Sequence, residues 1–460
     1  MTDGTFTGFF PTAATAARVQ SICYTQLQRA HLCVFLRLAR PALAAAHAAA
    51  VKRGIQGGFW YAAARVAGRL RPQARRAIAG PVDARPSGVS VVIPSRNGKH
   101  LLSAQLPGIA REAPAEIMVV DNGSDDGTAG WLRAEWPQVR VEVSATPLSF
   151  ARAVNRGIAG ARYSHVCLLN NDMLIEPGFF QALAGAFCLV PDLFCATAQI
   201  RFPEGVRREE TGKAVMAQDR PEDFPIRCDE PVPGEDLSYV LYGSGGCSLY
   251  DGARLRALGN VDEAYEPAYV EDLDLGYRAW QRGWPTVYVA GAVAEHRHRA
   301  TTLRYYTDEQ LTRILEINYL KFLARAVAGP RVFRRLWRQA LDRAPESALR
   351  AAAGIALRGG RTAGAEIPEE EFLALTNGAV AVFPGRANAA DAPVLVAFAE
   401  RLEQPPADTL AAHREVVLVR RGAADSFRAA LRQTQRKWPK SRVIAAGYQS
   451  PSPPPRAPAS

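Results

Sequence analysis

The chain has 460 residues, 48% of them hydrophobic and 22% charged. That length accommodates two or three domains, each with its own core, and the balance excludes a fibrous or wholly disordered protein. No window reaches the roughly 18 unbroken apolar residues of a membrane span, since the richest, Ala30 to Val51, is interrupted by His31, Arg37, Arg40 and His47. The N-terminus lacks the ordered basic, apolar and small-residue segments of a signal peptide, so the expected compartment is the cytoplasm. The seven cysteines contain no CxxC pair; this argues against a zinc knuckle or a disulfide framework and predicts mostly buried, reduced thiols.

The net charge of +11 is uneven. Residues 1–85 carry twelve Lys or Arg against Asp3 and Asp83, so +10 resides there and the rest of the chain is nearly neutral. The charge belongs to an arm and not to the body, and nucleic acid is therefore not an expected partner. Within the arm, from Gln28 to Leu43, Leu32, Phe35, Leu36, Leu38 and Ala39 recur at helical spacing beside Arg29, Arg37 and Arg40. A basic amphipathic helix of this kind either lies on a membrane surface or packs as a hairpin on the remaining chain.

Pro81, Pro86 and Gly88 end the arm. A second part, residues 86–328, alternates short β-branched runs with helical stretches, the pattern of a layered α/β domain. Val89–Ile93 is an apolar run followed by Pro94, Ser95, Arg96, Asn97 and Gly98. Ile117–Val120 is the next, ending in Asp121-Asn122-Gly123-Ser124-Asp125-Asp126-Gly127 before a helix near Thr128. His165–Leu169 is the third, ending in Asn170, Asn171 and Asp172. Continuous apolar runs suit parallel strands buried on both faces, and open parallel sheets hold ligands beyond the carboxyl ends of their strands. All three polar clusters fall at that end.

Each cluster has two readings when taken alone. Asp172, placed directly after a buried strand, either ligates a hard cation such as Mg²⁺ or Mn²⁺ or belongs to a turn before a helix starting at Glu176–Pro177. The acidic loop from Asp121 either caps its helix or binds a nucleotide base. A fourth cluster, Glu271-Asp272-Leu273-Asp274-Leu275-Gly276-Tyr277-Arg278, opens a helix whose first-turn carboxylates suit the dipole; one of them can also serve as a general base. Asp274 and Arg278 read as an ordinary exposed i,i+4 pair. His296 and His298 follow a strand expected over Val287–Val293.

A third part, residues 329–449, reads as Ala/Arg-rich helix and then a small α/β-like region. Its expected strands are Ala379–Phe383, Val394–Phe398, Val416–Val419 and Arg442–Ala445. Residues 450–460 contain five prolines and are expected to be disordered.

The kinds, order and spacing of the clusters resemble family-2 glycosyltransferases of the GT-A fold, particularly the bacterial rhamnosyltransferase-like branch. The resemblance runs through VSVVIPSRNGKHLL, IMVVDNGSDDGT, SFARAVNRGIAGA, VCLLNNDMLIEPGFF, YGSGGCSLY, EDLDLGYRAWQRGW and AVAEHRHRATT. It implies a GT-A-type domain with a mostly parallel central sheet, an enzyme, and a nucleotide-diphosphate-sugar donor. It further implies inverting transfer to a glycan or lipid-linked glycan acceptor with Mg²⁺ or Mn²⁺. Pro94, Ser95, Arg96, Asp121, Asn155, Asn171, Gly245 and Gly246 would bind the donor, with Asp125 at a helix start. Asp172 and His296 would hold the metal, and Asp272, beside Glu271, would be the base. Thr146-Pro147-Leu148-Ser149-Phe150 departs from the family's usual Asn-x-Gly-Phe. Two other classes are weighed: a nucleotidylyltransferase, for which PSRNGKH is too short and glycine-poor a phosphate loop, and a non-catalytic nucleotide-sugar or polyanion binding protein of the same fold. The resulting picture is a cytoplasmic enzyme of cell-surface polysaccharide or glycolipid assembly, whose basic arm either contacts the inner face of the cytoplasmic membrane or packs on the catalytic domain.

Overall fold

The computed structural model describes residues 56–75, 85–203, 211–214, 224–232, 234–297, 305–362 and 366–447. The amphipathic stretch 28–43, the proline-rich tail, Cys23, Cys33 and His298 lie outside the described residues.

In chain order, a helix over residues 56–69 (α1) precedes β1 (Val89–Ser95), α2 (Lys99–Arg111), β2 (Glu116–Asn122), α3 (Thr128–Glu135) and β3 (Val139–Ser144). Next come α4 (Phe150–Gly160), β4 (His165–Leu169), β5 (Met173–Ile175), α5 (Phe179–Leu189) and β6 (Cys195–Arg201). After them lie β7 (Ser238–Val240), β8 (Cys247–Asp251), α6 (Glu271–Gln281) and β9 (Thr286–His296). Three helices follow, α7 (Asp308–Arg325), α8 (Pro330–Arg343) and α9 (Glu346–Arg358). The chain closes with α10 (Glu369–Leu375), β10 (Asn377–Pro384), β11 (Val394–Ala399), β12 (Glu415–Arg420), α11 (Ala424–Lys437) and β13 (Val443–Gly447). The expected strands are present, all but His165–Leu169 longer than expected by one to four residues.

These strands form one 13-stranded sheet, in the spatial order β13-β11-β12-β10-β7-β9-β6-β8-β4-β1-β2-β3, with β5 paired to β9. The class is the layered α/β one expected. Parallel pairing holds within β3-β2-β1-β4, between β6 and β9, and within β12-β11-β13. Antiparallel strands join these blocks: β8 between β4 and β6, and β7 and β10 between β9 and β12. Because β10 pairs with β7, the C-terminal strands extend the same sheet.

The site is positioned by one feature of strand order. From β1 the chain builds outward through β2 and β3, then returns so that β4 lies on the other side of β1. Where that order reverses, the connections leave in opposite directions and a crevice opens at the carboxyl ends. Ser95 ends β1 there, Asp121 is its partner on β2, and Asn170 follows β4.

Two apolar clusters hold the sheet. Val91, Ile93, Val119 and Leu169 belong to one, and Val92, Val120 and Leu168 to the other, as alternation along a strand requires. Val154 and Ile158 of α4 pack on the second cluster. A Cβ on Gly157 would stand 2.2 Å from Val92 Cγ1, so glycine lets α4 approach this closely. Among the described cysteines, Cys167, Cys195 and Cys247 are buried and Cys188 is exposed; none is disulfide-bonded.

Candidate active site

On the β1–β2 side of the crevice, strand register sets Ser95 against Asp121, and both are buried. Asp121 Oδ1 accepts the Ser124 N–H at 3.2 Å. Asn97, in the left-handed region at φ 51°, ties this loop to the other: its N–H donates to Ser124 Oγ at 2.9 Å and its Oδ1 accepts the Asp125 N–H at 2.9 Å. The helix-start carboxylate is Asp126, not Asp125; it accepts from the Thr128 N–H and from the Lys99 N–H. Those bonds hold the Asp126 carboxyl below its ordinary range despite the opposing effect of burial. Asp125 contributes its backbone and exposes its side chain.

Across the switch point, Asn171 Nδ2 donates to Ser95 Oγ at 2.9 Å. A Cβ on Gly98 would fall 2.3 Å from that amide nitrogen and 2.5 Å from Ser95 Oγ, so the contact requires glycine. Gln105 of α2, buried, donates to the Asn170 and Met173 carbonyls at 2.5 and 2.8 Å and anchors the loop between them. Asp172 lies in that loop, and its Oδ1 is buried without a hydrogen-bond partner. His296 reaches it from β9. Met173 of β5 pairs with His296 in register, which places His296 Nε2 3.5 Å from Asp172 Oδ1. The strand was expected to end at Val293; it continues to His296 because β5 pairs with its last three residues. The imidazole also stacks on Phe202.

The third wall is the glycine loop before β8. Gly246 O accepts the Asn170 N–H at 2.8 Å, and a Cβ on Gly246 would stand 2.2 Å from Asn170 Nδ2. Ser248 Oγ ties the loop by donating to the Ser244 carbonyl, and the Ser244 N–H donates to Thr197 Oγ1. Gly245 N–H donates to Asp272 Oδ2 at 3.3 Å, while Asp272 Oδ1 accepts the Leu273 N–H at 2.7 Å. An unbroken series of contacts therefore runs from Asp121 through Ser95, Asn171 and Asp172 to His296, and from Asn170 through Gly246 and Gly245 to Asp272.

Asp272 stands in the first turn of α6, and the turn before it is strained. Tyr269 and Val270 have φ of 73° and 78°, a conformation costly for a β-branched side chain. Three residues along one side of α7 restrain the preceding loop. Asn318 Nδ2 donates to the carbonyls of Tyr265, Ala268 and Tyr269, Lys321 to that of Ala264, and Arg325 to Asp262 Oδ2. Glu271 is buried, and its Oε2 lacks a hydrogen-bond partner. Burial first, and the adjacent Asp272 charge second, push its carboxyl up to about 8.

One expectation changes. Asp274 is not an exposed helix partner: it is 1% exposed, accepts Arg278 Nε at 2.6 Å and is bonded by the Tyr265 hydroxyl at 3.0 Å. The Arg278 guanidinium also donates to the carbonyls of Leu258 and Asn260. Asn155 engages the Val261 backbone in both directions and Glu263 Oε1, which ties it to the loop before Asp272. Arg96 stacks its guanidinium 4.1 Å over the Tyr305 ring, with its Nε buried and without a hydrogen-bond partner, whereas Pro94 remains in the strand against Val120. Gly98, Gln105, Asn170 and Asn318 were missed as site residues. Only Gly98 and Asn170 had a signal in the sequence, as members of strand-end polar clusters.

The donor set can be read chemically. An orphaned buried carboxylate oxygen beside an imidazole nitrogen fits a hard or borderline cation. Among the described residues no group of three or more His, Cys, Asp or Glu converges as ligands. Two protein ligands leave the remaining positions to substrate oxygens and water, the habit of Mg²⁺ at diphosphates.

Residues 86–314 match the family described as "Glycosyltransferase like family 2". Over 220 residues the chain is 30% identical to the N-acetylglucosaminyl-diphospho-decaprenol L-rhamnosyltransferase of Mycobacterium tuberculosis, a match covering 43% of this chain and 71% of that enzyme. Two solved structures overlap more loosely. GalNAc-T7 with UDP, GalNAc and Mn²⁺ is 15% identical, with a TM-score of 0.41 over 52% of this chain and 48% of that one. A mannosyltransferase from Pyrobaculum calidifontis, in complex with GDP-Man and Mn²⁺, is 17% identical, with a TM-score of 0.38 over 68% and 85%. The family match and the rhamnosyltransferase relative make this a sugar-transferring enzyme of layered α/β build. The chain belongs to glycosyltransferase family 2 and is similar to its rhamnosyltransferase-like members.

Proposed function

We propose that residues 86–328 form the catalytic part of an inverting, divalent-cation-dependent glycosyltransferase that uses a nucleotide-diphosphate-sugar and an acceptor hydroxyl on a glycan or lipid-linked glycan. A role in cell-surface polysaccharide or glycolipid assembly follows from such an acceptor. The observation that carries the reading is the orphaned Asp172 Oδ1, 3.5 Å from His296 Nε2, joined by continuous contacts to Asp272.

In this reading Asp121 and Ser95 hold the nucleoside end, and Arg96 faces the donor from the rim. Asp172 and His296 would hold Mg²⁺ or Mn²⁺. When bound, the cation supplies positive charge for the departing diphosphate. Asp272 accepts the proton of the acceptor hydroxyl as its oxygen bonds to the anomeric carbon. The glycosyl–phosphate bond breaks on the opposite face, so one displacement inverts the configuration. The Gly245 N–H orients Asp272 Oδ2 for that task. Glu271, whose carboxyl is pushed up by burial and then by the adjacent Asp272 charge, is the neighbour of Asp272 and not a second base.

The test is a panel of nucleotide-sugars scored for nucleoside diphosphate release with Mg²⁺ or Mn²⁺ and with chelator, for wild type and Asp172→Ala. Release that depends on the cation and is largely abolished by Asp172→Ala is expected. Full activity in excess chelator would remove the metal from the reading, and no release from any donor would remove the transfer itself.

A further inference from the structure

We propose that the helical layer formed by α1, α8 and α9 is a docking surface for an anionic lipid bilayer. On α8, Val332, Phe333, Leu336 and Trp337 are buried, while Arg331, Arg334, Arg335 and Arg338 are exposed. The four arginines recur at i, i+3, i+4 and i+7 and so share one face of the helix. Among the described residues none of the four forms an ion pair or hydrogen bond, whereas Arg343 on the inner side faces Glu316. Like charges at these spacings repel one another, and a row of them attracts an anionic surface.

The neighbouring helices add apolar surface. α1 packs on α8, with Trp337 Nε1 donating to the Ala64 carbonyl and the Tyr61 hydroxyl to Asp342. It also packs along α9, where Arg350 lies over Trp60 and the Gly360 N–H reaches the Pro72 carbonyl. Among the described residues, the three most exposed large hydrophobics are Phe59 at 59%, Leu70 at 57% and Leu357 at 54%. All three lie on or directly after α1 and α9. Scattered exposed hydrophobics are ordinary, but these three lie on or next to helices of the same layer as the arginine row, and basic with apolar residues is the composition of an interfacial surface.

Other occupants fit less well. Residues 1–55 carry Arg18, Arg29, Arg37, Arg40, Lys52 and Arg53 against Asp3, so they share the sign of the row and cannot neutralise it. A two-fold contact with a second copy would set arginines against arginines. A nucleic acid would satisfy the charge and leave the apolar residues in water. An anionic bilayer meets both, through its headgroups and its acyl boundary. The proposal deepens the lipid-linked-acceptor reading, because a site for such an acceptor works at a bilayer.

The test is flotation of the full chain with phosphatidylcholine vesicles, with and without phosphatidylglycerol, at low and high salt. Each arginine near an anionic surface contributes about a fivefold factor in partitioning. Combined Arg331→Gln, Arg334→Gln, Arg335→Gln and Arg338→Gln is expected to weaken binding on the order of a hundredfold or more. Phe59→Ser with Leu70→Ser and Leu357→Ser should leave weaker binding that high salt abolishes. Unaltered melting and unaltered donor hydrolysis show that fold and site are intact; because flotation needs no turnover, it can fail while the transfer reading stands, and the reverse. Wild-type binding by a folded arginine variant would overturn the proposal. So would equal binding to vesicles without phosphatidylglycerol, or binding of an RNA strand that competes with vesicles and is indifferent to the apolar substitutions.

Discussion

Replacing Asp272 with Asn isolates proton transfer from architecture. The amide oxygen of Asn can still accept the Leu273 N–H or the Gly245 N–H, which now meet the carboxylate at 2.7 and 3.3 Å, so the glycine loop and helix start should persist. Losing one charge in the first turn of α6 removes about 0.3–1 kcal/mol of dipole stabilisation, and relief of the repulsion on Glu271 acts the other way. Stability should therefore change by less than about 1 kcal/mol. A general base contributes roughly 10²–10⁴-fold in rate, and that is the loss expected in transfer, with donor affinity unchanged. Asp274→Asn is the contrast, because it leaves the Arg278 guanidinium, 2% exposed, without its counter-charge. Breaking a buried pair on one side costs about 3–5 kcal/mol, so this variant should lose stability first and activity only as it unfolds. The assay is transfer rate, donor affinity and urea denaturation for both variants. An Asp272→Asn enzyme that transfers at wild-type rate, beside a fully stable but inactive Asp274→Asn enzyme, would refute this division of roles.

Glu271→Gln bears on pH. The folded carboxyl stands near 8, above its ordinary 4.5, so the native state holds a proton that the unfolded chain has released across that window. Wild-type stability should fall as pH rises from about 5 to 8. Denaturation midpoints of Glu271→Gln should lack that slope, and parallel curves would show that Glu271 ionises normally. Gly246→Ala should cost about 1–3 kcal/mol through overpacking against the Asn170 amide and weaken donor binding more than melting, measured by calorimetry. Asn318→Ala should remove three hydrogen bonds of about 0.5–1.5 kcal/mol each. If Asn318 positions the base, kcat falls while donor KM holds, and equal loss in both would make it merely structural.

How much could be read in advance differs from residue to residue. The runs Val89–Ile93, Ile117–Val120 and His165–Leu169 announced buried parallel strands because both faces of such strands are covered, so their apolar runs are continuous. Their polar endings announced the site because parallel strands present the same end to one crevice. Asp121 and Asp172 were legible for that reason; Asp272, at a helix start, was marked only by the order of the clusters along the chain. The sequence also showed that the basic charge is concentrated in the first 85 residues, since counting requires no geometry.

Only the tertiary structure decided the partners. Asp272 and Asp274 are both first-turn carboxylates of one amphipathic helix, yet one meets the Gly245 N–H and the other is enclosed with Arg278 and Tyr265. Helical periodicity cannot separate them, because the difference lies in segments that pack from elsewhere in the chain. Asn155 and Asn318 are alike in this respect: each hydrogen-bonds the loop before Asp272 across about a hundred or fifty residues of sequence. His296 reached Asp172 because β5 pairs with the end of β9, a register set by long-range pairing. A sequence records which groups are present at strand and helix ends; which of them face one another depends on the order in which strands assemble into the sheet.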